Sequence, residues 1–263
     1  MSAVLLAAAL VPAASMLALW AASLRLRDVS IVDVFWGPGF AAVAWISVAI
    51  AGGSPRGLLA ATLATAWGLR LGVHLGLRKR GHGEDRRYAA MRAARGPRFA
   101  RESLVTVFLL QAALMWVISL PLQAAAALGA GKPIGLLDAA GATVALTGLA
   151  IEATADAQLA RFLARPDSHG RVMQEGLWRW SRHPNYFGDF VVWWGLGLLG
   201  VAAGAAWSLV GPALMSVLLL RVSGVTLLEK TISTRRPGYA EYAVRTSAFF
   251  PRPPRWSRSQ HTP

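Results

Sequence analysis

GLWRWSRHPNYFGD, residues 176–189, runs directly into FVVWWGLGLLGVAAG, residues 190–204. An Arg-His pair, an Asn and an Asp therefore stand where a basic loop enters a helix of membrane length. Polar groups at that depth are expensive in lipid, so they point to a held ligand. Pro184 suits the first turn of the helix, where its missing N–H is not needed. Asn185 and Asp189 then fall four residues apart on one helical face. The bland alternative is an interfacial cap with snorkelling arginines.

Composition sets the class. Apolar residues make up 55% of the 263 and the mean hydropathy is +0.44. Several apolar runs reach the ~20 residues that a membrane helix needs. An all-α polytopic membrane protein of about seven spans is expected, near Ala3–Leu24, Ile31–Ala51, Leu58–Leu77, Leu104–Leu128, Ile134–Leu159, Tyr186–Ala203 and Ala206–Leu228. Gly37-Pro38-Gly39 interrupts the second near its start, which predicts a broken or re-entrant lower part there. The first span is too long for a signal-peptide core and has no charged region before it, so it counts as structure. Residues 1–250 read as one membrane domain, and 251–263 as a disordered basic tail.

The net charge of +14 does not indicate nucleic acid, because of where the charge sits. Of the 27 Lys and Arg, nine lie in Arg78–Arg101, five in Arg161–Arg182 and seven in Lys230–Arg258. The loop around Gly129–Pro133 carries only Lys132, and the Ala203–Ala206 connection carries none. Basic loops in alternation give an outside N-terminus and a cytoplasmic C-terminus. They would also attract anionic lipid headgroups or a phosphate-bearing ligand. With no cysteine there is no disulfide, thiolate catalysis or Cys-ligated metal.

Nine polar residues within or bordering the spans map to the cytoplasmic half: Asp33, Arg70, His74, Glu152, Asp156, Asn185, Asp189, Arg221 and Glu229. The outer half has almost no ionisable group. Five spans contributing at one depth predict a water-accessible pocket open to the cytosol. Arg70 with His74, and Glu152 with Asp156, are each one helical turn apart and share a face. The competing reading is mutual neutralisation, with Arg70 and Arg221 pairing with the carboxylates. Asn and His are unnecessary for that.

Two loop segments add candidates. GHGEDRRY, residues 81–88, mixes two acids with two arginines and reads equally as a solvated charge run or a binding element. In RRPGYAEYAVRTSAFF, residues 235–250, Tyr239, Tyr242 and Phe249 accompany Arg245, a set able to stack on a base while holding a phosphate. The same residues suit an interfacial helix. No GxGxxG, P-loop, HExxH or G-x-S-x-G motif is present, and His74 and His183 have no partner at metal-ligand spacing, so no metal is expected.

GLWRWSRHPNYFGD, with IEATADAQLARF (151–162) upstream and PGYAEYAVRTSAFFP (237–251) downstream, resembles the C-terminal domain of the steroid 5-alpha-reductase superfamily. The bacterial branch, a membrane-domain family of uncharacterised activity, is similar over IVDVFWGPGF (31–40), WGLRLGVHLGLRKRG (67–81) and GEDRRY (83–88) as well. RHPNY also resembles isoprenylcysteine carboxyl methyltransferases and sterol reductases. The resemblance implies a bacterial inner-membrane reductase using NADPH, held among the cytoplasmic helix ends. It implies cofactor contacts at Asp156, Arg171, Asn185, Tyr186, Asp189 and Arg221, with Arg70 and Arg80 toward the adenosine and phosphate end. Asp189 stands where Glu is commoner. The Tyr that touches the substrate carbonyl in the reductases aligns with Trp67, whose indole N–H donates a hydrogen bond but supplies no proton.

Hydride attack on an enone builds negative charge on its oxygen, which needs a donor or acid. Asp33 is the first candidate acid and His74 the second. The expected substrate is lipophilic, steroid-like or isoprenoid, with membrane lipid as the other partner. The alternative is an S-adenosylmethionine-dependent lipid or prenyl methyltransferase. Enzymes of that type resemble one another in an acidic pair ending the last span, where this chain has Glu229 and Lys230. A non-catalytic lipid-binding or transport protein is a third class, disfavoured by the outer half.

Overall fold

In hydrocarbon every backbone N–H and C=O must be bonded within its segment, so apolar runs of this length coil. The computed structural model is all-α, and it describes residues 1–222, 225, 229 and 237–254. The rest of the seventh expected span, Lys230, residues 235 and 236, and the tail from 255 onward lie outside the described residues. Among the described residues, five segments are long and apolar enough to cross a membrane: Ser2–Leu26, Ile31–Ala51, Pro55–Lys79, Arg86–Ile118 and Leu136–Leu163. A shorter apolar stretch follows at Ala206–Val222. The chain packs as two compact units, one of Met1–Ala142 with Leu196–Gly211 and one of Thr143–Gly195 with Pro212–Pro263.

The first unit begins with α1 (Ser2–Leu26), α2 (Ile31–Ala51) and α3 (Pro55–Lys79). The break expected at Gly37-Pro38-Gly39 does not occur, and α2 runs through it as one helix. The reason is the neighbour. A Cβ on Gly37 or on Gly68 would collide with the carbonyl of the other, and one on Gly72 would lie 2.8 Å from Pro38 Cγ. Small residues let the two backbones touch, so α3 covers the ladder that Pro38 interrupts. Ser54 starts α3 by accepting from the Gly57 N–H at 3.1 Å, with Pro55 in the first turn.

The fourth span departs most from expectation. It begins at Arg86 rather than Leu104, through α4 (Arg86–Arg95), α5 (Phe99–Ser103), a π-helical turn at Leu104–Leu109 and α6 (Leu110–Ile118). It then breaks before α7 (Leu120–Leu128). Pro121 causes the break, since it brings no N–H and crowds the carbonyl four residues back. Ser119 and Gln123 repair the freed backbone: both donate to the Trp116 carbonyl at 2.9 Å, and Gln123 also donates to Ser119 Oγ at 2.8 Å.

A buried ion pair closes this unit at the end where α3 begins. Arg56 Nε and Nη2 donate to the two oxygens of Asp138 at 2.6 and 2.8 Å, and Nη2 also reaches the Pro133 carbonyl at 2.9 Å. Both side chains are almost wholly buried. The sequence reading does not join these two charges, which stand 82 residues apart.

The second unit holds most of α8 (Leu136–Leu163), the first turns of α9 (Pro184–Ala202), most of α10 (Val210–Val217) and α11 (Tyr239–Arg245). The polar opening of α9 sets it apart from the five apolar segments. Its core joins Ala155 and Phe162 of α8 to Met173 and Trp178 of the connection, with Leu159 and Leu177 against them. The α8–α9 crossing is again built on glycine. A Cβ on Gly148 would lie 2.5 Å from the Val192 nitrogen, and one on Gly188 would lie 2.6 Å from the Glu152 nitrogen.

Candidate functional site

Because Gly188 presses on the Glu152 backbone, the polar opening turns of α9 meet the polar closing turns of α8. Asn185 Nδ2 donates to Asp156 Oδ1 at 3.1 Å. Glu152, Asp156 and Asp189 are all buried, and Asn185 is half-buried. Three carboxyl groups and an amide oxygen make this corner rich in hydrogen-bond acceptors. It is chemically suited to hydroxyl, amide and ammonium donors rather than to phosphate.

The residues just before α9 are committed to structure. Arg182 grips Glu229 with two hydrogen bonds, 2.7 Å from Nε and 3.0 Å from Nη2. Its Nη1 donates to the carbonyls of Ala243 and Thr246 at 2.6 and 3.1 Å. His183 Nε2 lies 3.2 Å from Glu229 Oε1, and its ring stacks on Tyr186 with centroids 5.8 Å apart. Burial pushes the Glu229 carboxyl up, but hydrogen bonds and charge from His183 and Arg182 outweigh it and hold the group below the usual glutamate range. The Arg-His pair, read from sequence as ligand-holding, thus clamps the C-terminal segment to the start of α9.

The aromatic residues of that segment are core as well. Tyr242 donates its hydroxyl to the Trp178 carbonyl at 2.5 Å, and Trp178 Nε1 donates to the Ala155 carbonyl at 3.0 Å. Phe249 packs edge-on against Phe187 and Phe190. Burial and the nearby Glu229 push the Tyr239 phenol up to about 12, and burial raises that of Tyr242 too. The open stacking platform expected of Tyr239, Tyr242 and Phe249 is therefore a packed interior. Ser181 Oγ donates to the Phe249 carbonyl at 2.8 Å, and the Arg252 N–H donates to the Trp180 carbonyl at 3.0 Å, so the chain is tied down past residue 251.

Among the other cofactor candidates of this unit, Arg171 is exposed and pairs with Asp167. Arg221 is exposed on the π-helical turn Leu218–Val222.

In the first unit, Asp33 opens α2 with both oxygens engaged, by Arg87 Nη2 at 2.8 Å and the Tyr88 hydroxyl at 2.9 Å. Gln111 Nε2 reaches that hydroxyl at 3.4 Å. As placed, Asp33 fastens α4 to α2 and acts as an acceptor rather than as an open acid. Trp67 is fully buried, edge to face with Phe40 at 5.8 Å. Arg70 and His74 are half-buried on α3, and Arg80 is exposed where α3 ends.

GHGEDRRY also forms a structural corner. Glu84 accepts from the Val29 N–H at 2.8 Å and from Arg92 Nε and Nη2 at 2.9 and 2.8 Å. Asp85 caps α4 through the Arg87 N–H at 2.9 Å. Lys79 pairs with Asp28 at 2.6 Å and donates to Ser30 Oγ at 2.5 Å. The Arg92 hydrogen bond holds Glu84 below its usual range, and Lys79 and Ser30 outweigh burial to do the same for Asp28.

No curated protein and no solved structure matches this chain. A family model described as "Protein of unknown function (DUF1295)" matches residues 19–246, most of its length. That match embraces the α2–α3 glycine crossing, the acceptor corner of α8 and α9 and the Arg182 clamp together; the chain belongs to the DUF1295 family.

Proposed function

We propose that this protein is an NADPH-dependent membrane oxidoreductase that reduces an activated carbon–carbon double bond of a lipophilic, steroid-like or isoprenoid, substrate. The observation that carries the reading is the corner where Asn185 bonds Asp156 at 3.1 Å beside buried Glu152 and Asp189. Its donor and acceptor set fits the carboxamide and ribose hydroxyls of a nicotinamide nucleotide. Asn185 would accept from, and Asp156 and Asp189 would orient, those donors. The similarity to the steroid 5-alpha-reductase superfamily over the same residues supports the assignment. Tyr186, Arg171, Arg221, Arg70 and Arg80 are further cofactor contacts on the strength of that resemblance alone. Bound NADPH would supply the hydride.

Negative charge developing on the substrate oxygen calls for a donor. His74 is favoured over Asp33, whose oxygens already accept from Arg87 and Tyr88. Trp67 is the third candidate, as a hydrogen-bond donor only. The basic loops favour an outside N-terminus and a cytoplasmic C-terminus, and the resemblance favours about seven spans in a bacterial inner membrane.

A second reading, an S-adenosylmethionine-dependent methyltransferase, draws on the same corner, because buried carboxylates also suit an ammonium group. Thermal unfolding of the detergent-purified protein with NADPH, NADH or S-adenosylmethionine separates the two. NADPH should stabilise most, with NADH weaker because it lacks the 2′-phosphate. Stabilisation by S-adenosylmethionine alone would replace the reductase reading.

A further inference from the structure

A cleft of about 380 Å³ opens in the second unit, lined by Gln174, Glu175 and Arg179 of the α8–α9 connection and by Arg245, Thr246 and Pro254 of the C-terminal segment. The proposed cofactor corner shares none of these residues. Its surroundings are cross-bonded. The Trp178 carbonyl takes the Tyr242 hydroxyl, the Trp180 carbonyl takes the Arg252 N–H, and the Thr246 carbonyl takes Arg182. Such a cleft exists before any ligand arrives.

Its charge is one-sided. Glu175 carries the acid of the lining, and Arg165 neutralises it through two bonds of 2.8 and 2.9 Å. Arg245 makes a long 3.4 Å contact to the neutral Gln174. The lining thus holds two guanidinium groups, from Arg179 and Arg245, against the single Glu175 carboxylate, and its net charge is positive. Guanidinium groups hold phosphate oxygens through charge-assisted, often bidentate hydrogen bonds.

Its depth is fixed by the fold of the same unit. Leu177 N–H bonds Gln158 Oε1 at 2.9 Å, and Trp178 bonds the Ala155 carbonyl, so the cleft segment folds back on the last turns of α8. Helix α8 is one of the five membrane-length helices, which puts its end at headgroup level. Trp180 and Val244, neighbours in sequence of Arg179 and Arg245, are exposed large apolar residues, as is Phe250. Exposed aromatics beside arginines are the composition of a membrane interface.

We infer that the Arg179–Arg245 cleft binds the phosphate of an anionic phospholipid headgroup. A neutral zwitterionic lipid presents the same phosphate with a compensating cation and binds less well.

The test is thermal unfolding of delipidated protein in detergent with added phosphatidylglycerol or phosphatidylcholine. Phosphatidylglycerol should raise the midpoint and phosphatidylcholine should not. Arg179→Gln and Arg245→Gln should each weaken the lipid response about fivefold, and Arg245→Lys should recover only part of it, because an ammonium keeps the charge but not the bidentate fork. An undiminished response in the double glutamine variant would overturn the proposal. So would inorganic phosphate reproducing the shift, which would assign the cleft to a soluble phosphate, or NADPH needing the same two arginines. Native mass spectra of the parent protein give a readout independent of variant folding. Selective retention of phosphatidylglycerol is expected, and equal retention of phosphatidylcholine would contradict the inference.

Discussion

Asn185 donates to Asp156 across the α8–α9 crossing at 3.1 Å, two residues 29 apart in sequence. The bond depends on Gly188, which brings α9 against the Glu152 backbone. It leaves the Asn185 carbonyl oxygen as an acceptor. Asn185→Ala should therefore cost one ligand hydrogen bond, about 1–3 kcal/mol or roughly ten- to a hundredfold in NADPH affinity. The unliganded unfolding midpoint should fall too, because buried Asp156 loses its donor, so affinity and not the midpoint is the readout. Calorimetric titration of parent and variant decides it, and equal affinities would return Asn185 to a helix-start role.

Gly148 should not tolerate alanine. Its Cβ would sit 2.5 Å from backbone nitrogen and not against a movable side-chain tip. Overpacking of this kind costs about 1–3 kcal/mol. Gly135→Ala is the control, since nothing lies within 4 Å of its Cβ. Unfolding midpoints in one detergent should separate the two variants. Similar midpoints would mean the crossing is looser than described.

The Arg56–Asp138 pair yields an asymmetric prediction. Arg56→Met strands a buried carboxylate, a loss of about 3–5 kcal/mol. The double change Arg56→Met with Asp138→Leu removes both charges and should recover most of it. A double-mutant cycle on chemical unfolding measures the difference. Strict additivity would show that the two groups do not act as a pair.

Acid should loosen the Glu84 corner. The folded-state pKa of Glu84 is depressed by Arg92, so its stabilisation is complete above the unfolded value of about 4.3 and is lost as pH falls through the folded one. Glu84→Gln should lower the midpoint at neutral pH and flatten its decline in acid. Parallel pH profiles for parent and variant would rule out this linkage.

Much of this architecture was legible because membrane burial writes itself locally. Apolar runs marked the helices, and the shared depth of Asp156 and Asn185 marked two residues that the fold joins. Pro38 misled because its cost is local while its remedy, the Gly68 and Gly72 surface of α3, lies elsewhere in the chain. The Arg56–Asp138 pair is silent in the sequence for a similar reason, since each looks like a lone charge near a helix end. Arg182 and His183 resembled ligand groups until Glu229, 47 residues beyond Arg182, proved to occupy them. The aromatics of 239–249 followed the same logic, because composition cannot separate a stacking platform from a packed interior.

A nicotinamide nucleotide held at the Asp156–Asn185 corner should be visible in native mass spectra of the detergent-purified protein equilibrated with equal NADPH and S-adenosylmethionine. The two ligands differ greatly in mass, so each complex is read without a label. A one-to-one NADPH complex is expected in the parent, strongly reduced in Asp156→Ala and Asn185→Ala. A complex with S-adenosylmethionine in its place, or NADPH retained equally by both variants, would contradict it.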